Sequence, residues 1–184
     1  MSNDLTFTAF DGHSKLASGP LAEVLRSIKS RNDENPAAAI LVFEDQTGRQ
    51  VDFELRGTVE EVLARALPQP ERIGPGRPKL GVVGREISLL PRHWEWLEEQ
   101  PNGASAALRR LVDQARAQEE GPRRIRQARE AAGRFMTAIG GNLPGYEEAC
   151  RALYAGDRER VEAELTAWPE DLRNHVLLLA WEGL

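Results

Sequence analysis

The sequence predicts a mixed α+β fold. A small βαββα domain covers residues 1–68, a Pro/Gly linker 69–78, a short strand–helix–helix unit 79–120 and a helical bundle 121–184. Three observations predict this order. Period-two apolar alternation and helical spacing interleave in the first third of the chain. Pro68, Pro70, Gly74, Pro75, Gly76 and Pro78 then crowd one stretch, too many breakers for the interior of any element. Beyond Pro91, apolar residues recur at helical spacing and are interrupted by Pro and Gly at short intervals.

Each element follows from its residues. Leu5 to Phe10 alternates apolar and polar side chains, as a strand does, and Asp11-Gly12-His13 turns the chain. Pro20 suits a first helical turn, and Leu21, Val24, Leu25 and Ile28 follow on one face. Ala39 to Phe43 is an apolar run with the length of a buried strand. Gln46-Thr47-Gly48 is a turn, and Val51, Phe53 and Leu55 alternate on a strand that completes a hairpin. Thr58 with Glu61 forms a capping box for a helix that carries Val59, Val62, Leu63 and Leu67. In the last third, Arg123 to Ile139 is one amphipathic helix ended by Gly140-Gly141. Pro144 opens a second that runs to Tyr154, and Gly156-Asp157 breaks and recaps the chain. A third helix reaches Trp168, and Pro169 starts a fourth bearing Leu172, Val176, Leu179 and Ala180.

Bulk chemistry excludes several classes. No run of about 18 apolar residues offers a membrane span, and Met1 to Asp11 lacks the basic and apolar regions of a secretory signal. One cysteine, Cys150, allows no internal disulfide and points to a reducing, cytoplasmic setting. Net charge is −5, yet between Arg72 and Arg129 there are 12 Arg+Lys against 7 Asp+Glu. A basic middle inside an acidic chain fits a local nucleic-acid contact, and equally a basic face docked on the acidic flanks.

The middle segment carries the most specific pattern. Val82 to Leu90 is β-compatible. Pro91 stops the strand and starts a helix whose apolar face holds Trp94 and Leu97, making Trp94 a core residue. Pro101-Asn102-Gly103 ends that helix, and Ser105 suits the first turn of the next. There Leu108, Leu111, Val112 and Ala115 form a stripe opposite Arg109, Arg110 and Arg116. The strand ending in Leu90-Pro91, the Pro91…Trp94…Leu97 spacing and the run Gly103 to Val112 resemble the ribbon-helix-helix family over about a quarter of the chain. The resemblance implies a homodimer formed through residues 82–115, because one strand and two short helices cannot bury a core alone. It also implies that the paired strands enter the DNA major groove while free N–H groups at the second helix hold a phosphate.

On that reading the DNA-binding residues are Arg77, Lys79, Arg85, Ser88, Asn102, Gly103, Ser105 and Arg109. Two ribbon registers stand. Arg85, Ile87 and Leu89 face the groove if Leu90 packs inward. Alternatively Ile87 and Leu89 face inward, leaving Glu86 and Ser88 to the DNA. Gly76-Arg77-Pro78 resembles the core of a minor-groove hook, and reads equally well as a linker with two positive charges. Residues 9–13, 16–21 and 76–92 also resemble an uncharacterised bacterial family, a domain of unknown function, over nearly the full length. That likeness implies no activity.

Other residues point to no chemistry. His13, His93 and His175 share no metal-ligand spacing with one another or with Cys150, which reads as a buried, inert thiol. No phosphate-cradling Gly motif and no triad signature is present, so neither enzyme activity, cofactor nor metal is expected. The sequence therefore points to a DNA-binding regulator, with a protein-interaction or assembly module as the alternative. An enzyme would need a pocket assembled around residues such as Asp11 and His13.

Overall fold

A computed structural model describes residues 5–67 and 85–182. The fold is mixed α+β, with a small antiparallel sheet near the N-terminus, seven α-helices among the described residues and a mostly helical C-terminal region. The chain divides into two compact units, one built from residues 1–69 together with 123–184, the other from residues 70–122.

The first unit is organised by its sheet, whose strand order is β2-β1-β3-β4. Strand β1 (Thr6–Asp11) pairs antiparallel with both β2 (Ser14–Pro20) and β3 (Ile40–Glu44), and β4 is only Arg49–Gln50. Helix α1 (Leu21–Glu34) follows β2, and α2 (Val59–Ala66) follows β4. Alternation then assigns the sheet's two faces. Phe7, Ala9 and Val42 join Val24, Leu25 and Ile28 of α1 and Val62 of α2 in one apolar core. Phe10 and Phe43 join a second core with Phe135, Met136, Leu153, Val161, Leu165, Leu172 and Val176 from the C-terminal helices. The sheet is thus covered on both sides, and the helices expected to form a bundle of their own bury their apolar faces on it.

Those helices are the end of α4 (Gly103–Gly140), α5 (Tyr146–Ala155), α6 (Arg158–Glu164) and α7 (Glu170–Leu177). A short 3-10 turn, Leu165–Ala167, precedes α7, and a wide π-type turn, Leu178–Glu182, follows it. The predicted capping box is present: Glu61 N–H donates to Thr58 Oγ1 at 3.3 Å and Thr58 N–H donates to Glu61 Oε2 at 2.9 Å. At the turn after β3, Gly48 has φ +64° and lies so close to the Ala131 carbonyl that no Cβ fits. Arg134 donates to Thr47 O in the same turn at 2.9 Å. The hairpin tip is therefore pressed directly onto α4.

Several expectations are corrected. The segment 14–20, given no element by sequence, is strand β2. Its polar residues and Gly19 hid it, because an edge strand need not alternate cleanly. The strand expected through Val51, Phe53 and Leu55 is reduced to β4 and one further bond, Val51 N–H to Val42 O at 2.8 Å. Of the strand expected over Val82–Leu90, residues 85–90 form none. Among the described residues no strand lies beside them to satisfy their backbone groups. Val82, Val83 and Gly84, together with the linker 69–78, lie outside the described residues. Helix α4 runs unbroken through Gly121 and Pro122, across the boundary expected between residues 120 and 121.

Candidate nucleic-acid interface

The described part of the second unit starts with Arg85 to Leu90, which form no regular element and are exposed except for the half-buried Leu89. Pro91 then begins α3 (Pro91–Glu98), where its missing N–H costs nothing and its ring presets φ. After α3 the chain reverses through Asn102, at φ 69°, and Gly103, at φ 77°; Gly103 N–H donates to Gln100 O at 3.1 Å. Two successive left-handed residues, one of them Asn and one Gly, are what this sharp reversal requires. Helix α4 departs from there, and its first N–H groups are the free donors of a helix start. Along it, Arg109 Nε donates to Ser105 O at 3.2 Å, and Arg110 Nη2 reaches back to Gln100 Oε1 at 3.2 Å.

Of the eight residues expected to touch DNA, the reversal gathers four. Asn102, Gly103 and Ser105 sit at the start of α4 and Arg109 one turn further on, all exposed. Arg85 and Ser88 are exposed in the run before α3. Arg77 and Lys79 lie outside the described residues.

The unit buries little. Leu97 and Ala107 are its only buried residues among those described. Ile87 and Leu90 are each 50% exposed, and Trp96, Leu111 and Val112 are also exposed. Trp94, expected in the core, is 36% exposed. One strand-length segment and two helical turns supply too little chain to cover a Trp side chain on both faces. From Arg109 to Gln127 every residue of α4 is exposed, so this stretch of helix meets solvent all round. A helix of marginal isolated stability normally hides such apolar side chains against a partner.

Elsewhere, one polar pair escaped sequence reasoning. His175 on α7 and Asp45 in the turn after β3 face each other, with Nε2 3.6 Å from Oδ1. Both atoms are buried and lack a hydrogen-bond partner among the described residues. Burial pushes the imidazole pKa down to about 4, with Lys15 adding to the effect, and burial pushes the Asp45 carboxyl up against the lowering influence of Thr6 and Thr8. The detectable signal was His175 standing on the apolar stripe of α7 beside Leu172, Val176 and Leu179; nothing in the sequence marked Asp45. Cys150 is half-buried, and burial raises its thiol pKa, which suppresses the reactive thiolate. Among the described residues no three His, Cys, Asp or Glu side chains converge as metal ligands. Nor, among those residues, is any helix long and apolar enough to cross a membrane.

Fold and site together define a mixed α+β protein in which a well-buried sheet unit accompanies a small helical unit rich in exposed apolar and basic side chains. The chain belongs to the family described as "Uncharacterized protein conserved in bacteria (DUF2239)", whose model matches residues 6–180. No curated protein and no solved structure matches it.

Proposed function

We propose that this protein is a non-enzymatic, homodimeric DNA-binding regulator that grips DNA through two copies of its ribbon-helix-helix-like unit. The observation that carries the reading is the exposure of Ile87, Leu90, Trp94, Trp96, Leu111 and Val112 in a unit whose described residues bury only Leu97 and Ala107. Six large apolar side chains left to water on so short a segment favour a second chain as their cover. The run 85–90, which has no strand partner among the described residues, supports pairing with the same run of another copy. The exposed turn at Asn102, the start of α4 and Arg109 support a phosphate contact beside that dimer.

A second reading is an assembly module that dimerises in the same way and holds no DNA. It draws support from α3 and its C-cap, where the exposed Glu95, Glu98 and Glu99 oppose a phosphate backbone. Retardation of duplex DNA across a salt series separates the two. A DNA-binding dimer loses affinity steeply with salt, and Arg77→Ala with Lys79→Ala lowers the slope of log K against log[salt] by about 2. A dimer by mass with no retardation at low salt selects the assembly module. A monomer at high concentration defeats both.

A further inference from the structure

We propose that Asp45 and His175 form an acid-sensitive clasp between the turn after β3 and helix α7, which holds with at most one proton and releases α7 from the sheet on taking a second. The clasp lies in the sheet unit and is independent of the DNA-binding reading.

Geometry comes first. His175 sits on the buried side of α7, 5% exposed, with its ring 4.6 Å from Phe135 of α4 and 5.3 Å from Phe10 of β1. Its Nε2 points at Asp45 Oδ1 across 3.6 Å, and neither atom has a hydrogen-bond partner among the described residues. Two polar atoms left to each other in an aromatic enclosure are costly unless their joint charge stays small.

The charged groups around the pair decide how many protons it tolerates. From the turn come Asp45 and its neighbour Glu44, which opposes ionisation of Asp45. Strand β2 contributes Lys15, whose ammonium opposes a charge on His175 and whose backbone N–H is held by Asp171 of α7 at 2.7 Å. β1 offers Thr6 and Thr8, hydrogen-bonded to Asp45, and the uncharged Phe10. α4 offers the Phe135 ring, while the adjacent Arg134 is engaged by Thr47 O and Glu130.

At neutral pH the imidazole is therefore uncharged. On acidification the pair takes a first proton and becomes neutral overall, with burial strengthening the carboxyl's hold on a proton and weakening the imidazole's. A second proton creates an imidazolium opposite a protonated acid, near Lys15 and between two phenyl rings, with no anion left to balance it. Linkage gives the sign. Between its ordinary value of 6.5 and about 4, His175 takes a proton in the unfolded chain that the folded chain refuses. Stability from His175 is thus fully present above that window and lost as pH falls through it, while the raised Asp45 offsets part of the loss. Because the strain is concentrated where α7 meets the sheet, α7 opens before the rest of the unit.

The test uses the full chain. Imidazole nitrogen shifts are followed by NMR from pH 7.5 to 4, and backbone amide exchange over residues 170–182 is measured across the same range and corrected for intrinsic rate. His175 is expected to stay uncharged down to at least pH 5, and exchange in 170–182 to rise at least tenfold, relative to β1 and β3, as it finally charges. His175→Phe, which fills the same aromatic enclosure without titrating, moves that opening at least about one pH unit lower. An imidazole that charges near pH 6.5, as a free one does, overturns the proposal in the native protein whether or not the variant folds. Opening of His175→Phe at the native pH also overturns it.

Discussion

The sheet unit and the helical unit spend their apolar residues in opposite ways. In the first, Phe10, Phe43 and Phe135 meet edge-on or tilted at 4.9 to 6.2 Å and are all fully buried. In the second, side chains of comparable size are left half in water. The contrast separates two sources of order. One unit is held by what its own chain encloses, whereas the other carries apolar contact area that its described residues leave uncovered. Substitutions should therefore act on different observables in the two units, folding stability in one and association in the other.

Three experiments probe that contrast. Phe135→Ala removes the side chain shared by both Phe contacts and His175, and should cost about 3–5 kcal/mol in denaturant unfolding; a loss under about 1 kcal/mol would mean that the aromatic core is not what holds the sheet unit. Thr58→Ala removes one arm of the capping box on α2. It should cost about 1 kcal/mol, because only the exposed helix start is affected, and an unchanged urea midpoint would deny the cap any role. The double change Ile87→Ser with Leu90→Ser should shift the unfolding of the sheet unit by no more than about 0.5 kcal/mol. The same variant should convert a dimer to a monomer in sedimentation, and a dimer that survives it places the association surface elsewhere.

Much of the sheet unit was legible in the sequence because its signals are local. Thr58 and Glu61 stand three residues apart, the separation at which the reciprocal cap works, and Leu21 to Ile28 repeat at helical spacing. Strand β2 was not legible because Ser14, Lys15, Ser18 and Gly19 weaken its alternation, and an edge strand is recognised by its neighbour rather than by its own residues. Nor could the sequence show that Phe43 and Phe135 share a core, since no local pattern links residues so far apart. In the candidate interface, the reversal at Asn102-Gly103 and the helix start at Pro91 were readable from backbone preference. Exposure of Trp94 was not, because an apolar stripe says that a face is to be covered and not which chain covers it. Asp45 escaped for a related reason: it meets its partner only through the packing of α7 on a hairpin more than a hundred positions earlier.

The Gly48 turn resting against Ala131 has a consequence for biosynthesis. During translation the N-terminal hairpin leaves the ribosome long before the helix it must press against, with the whole of residues 70–122 emerging in between. Until then Phe10 and Phe43 have no covering layer, so the nascent chain shows an aromatic, greasy sheet face to solvent or to a chaperone. Closure depends on sequence-distant pairing, which makes the final step of folding slow compared with formation of the hairpin itself.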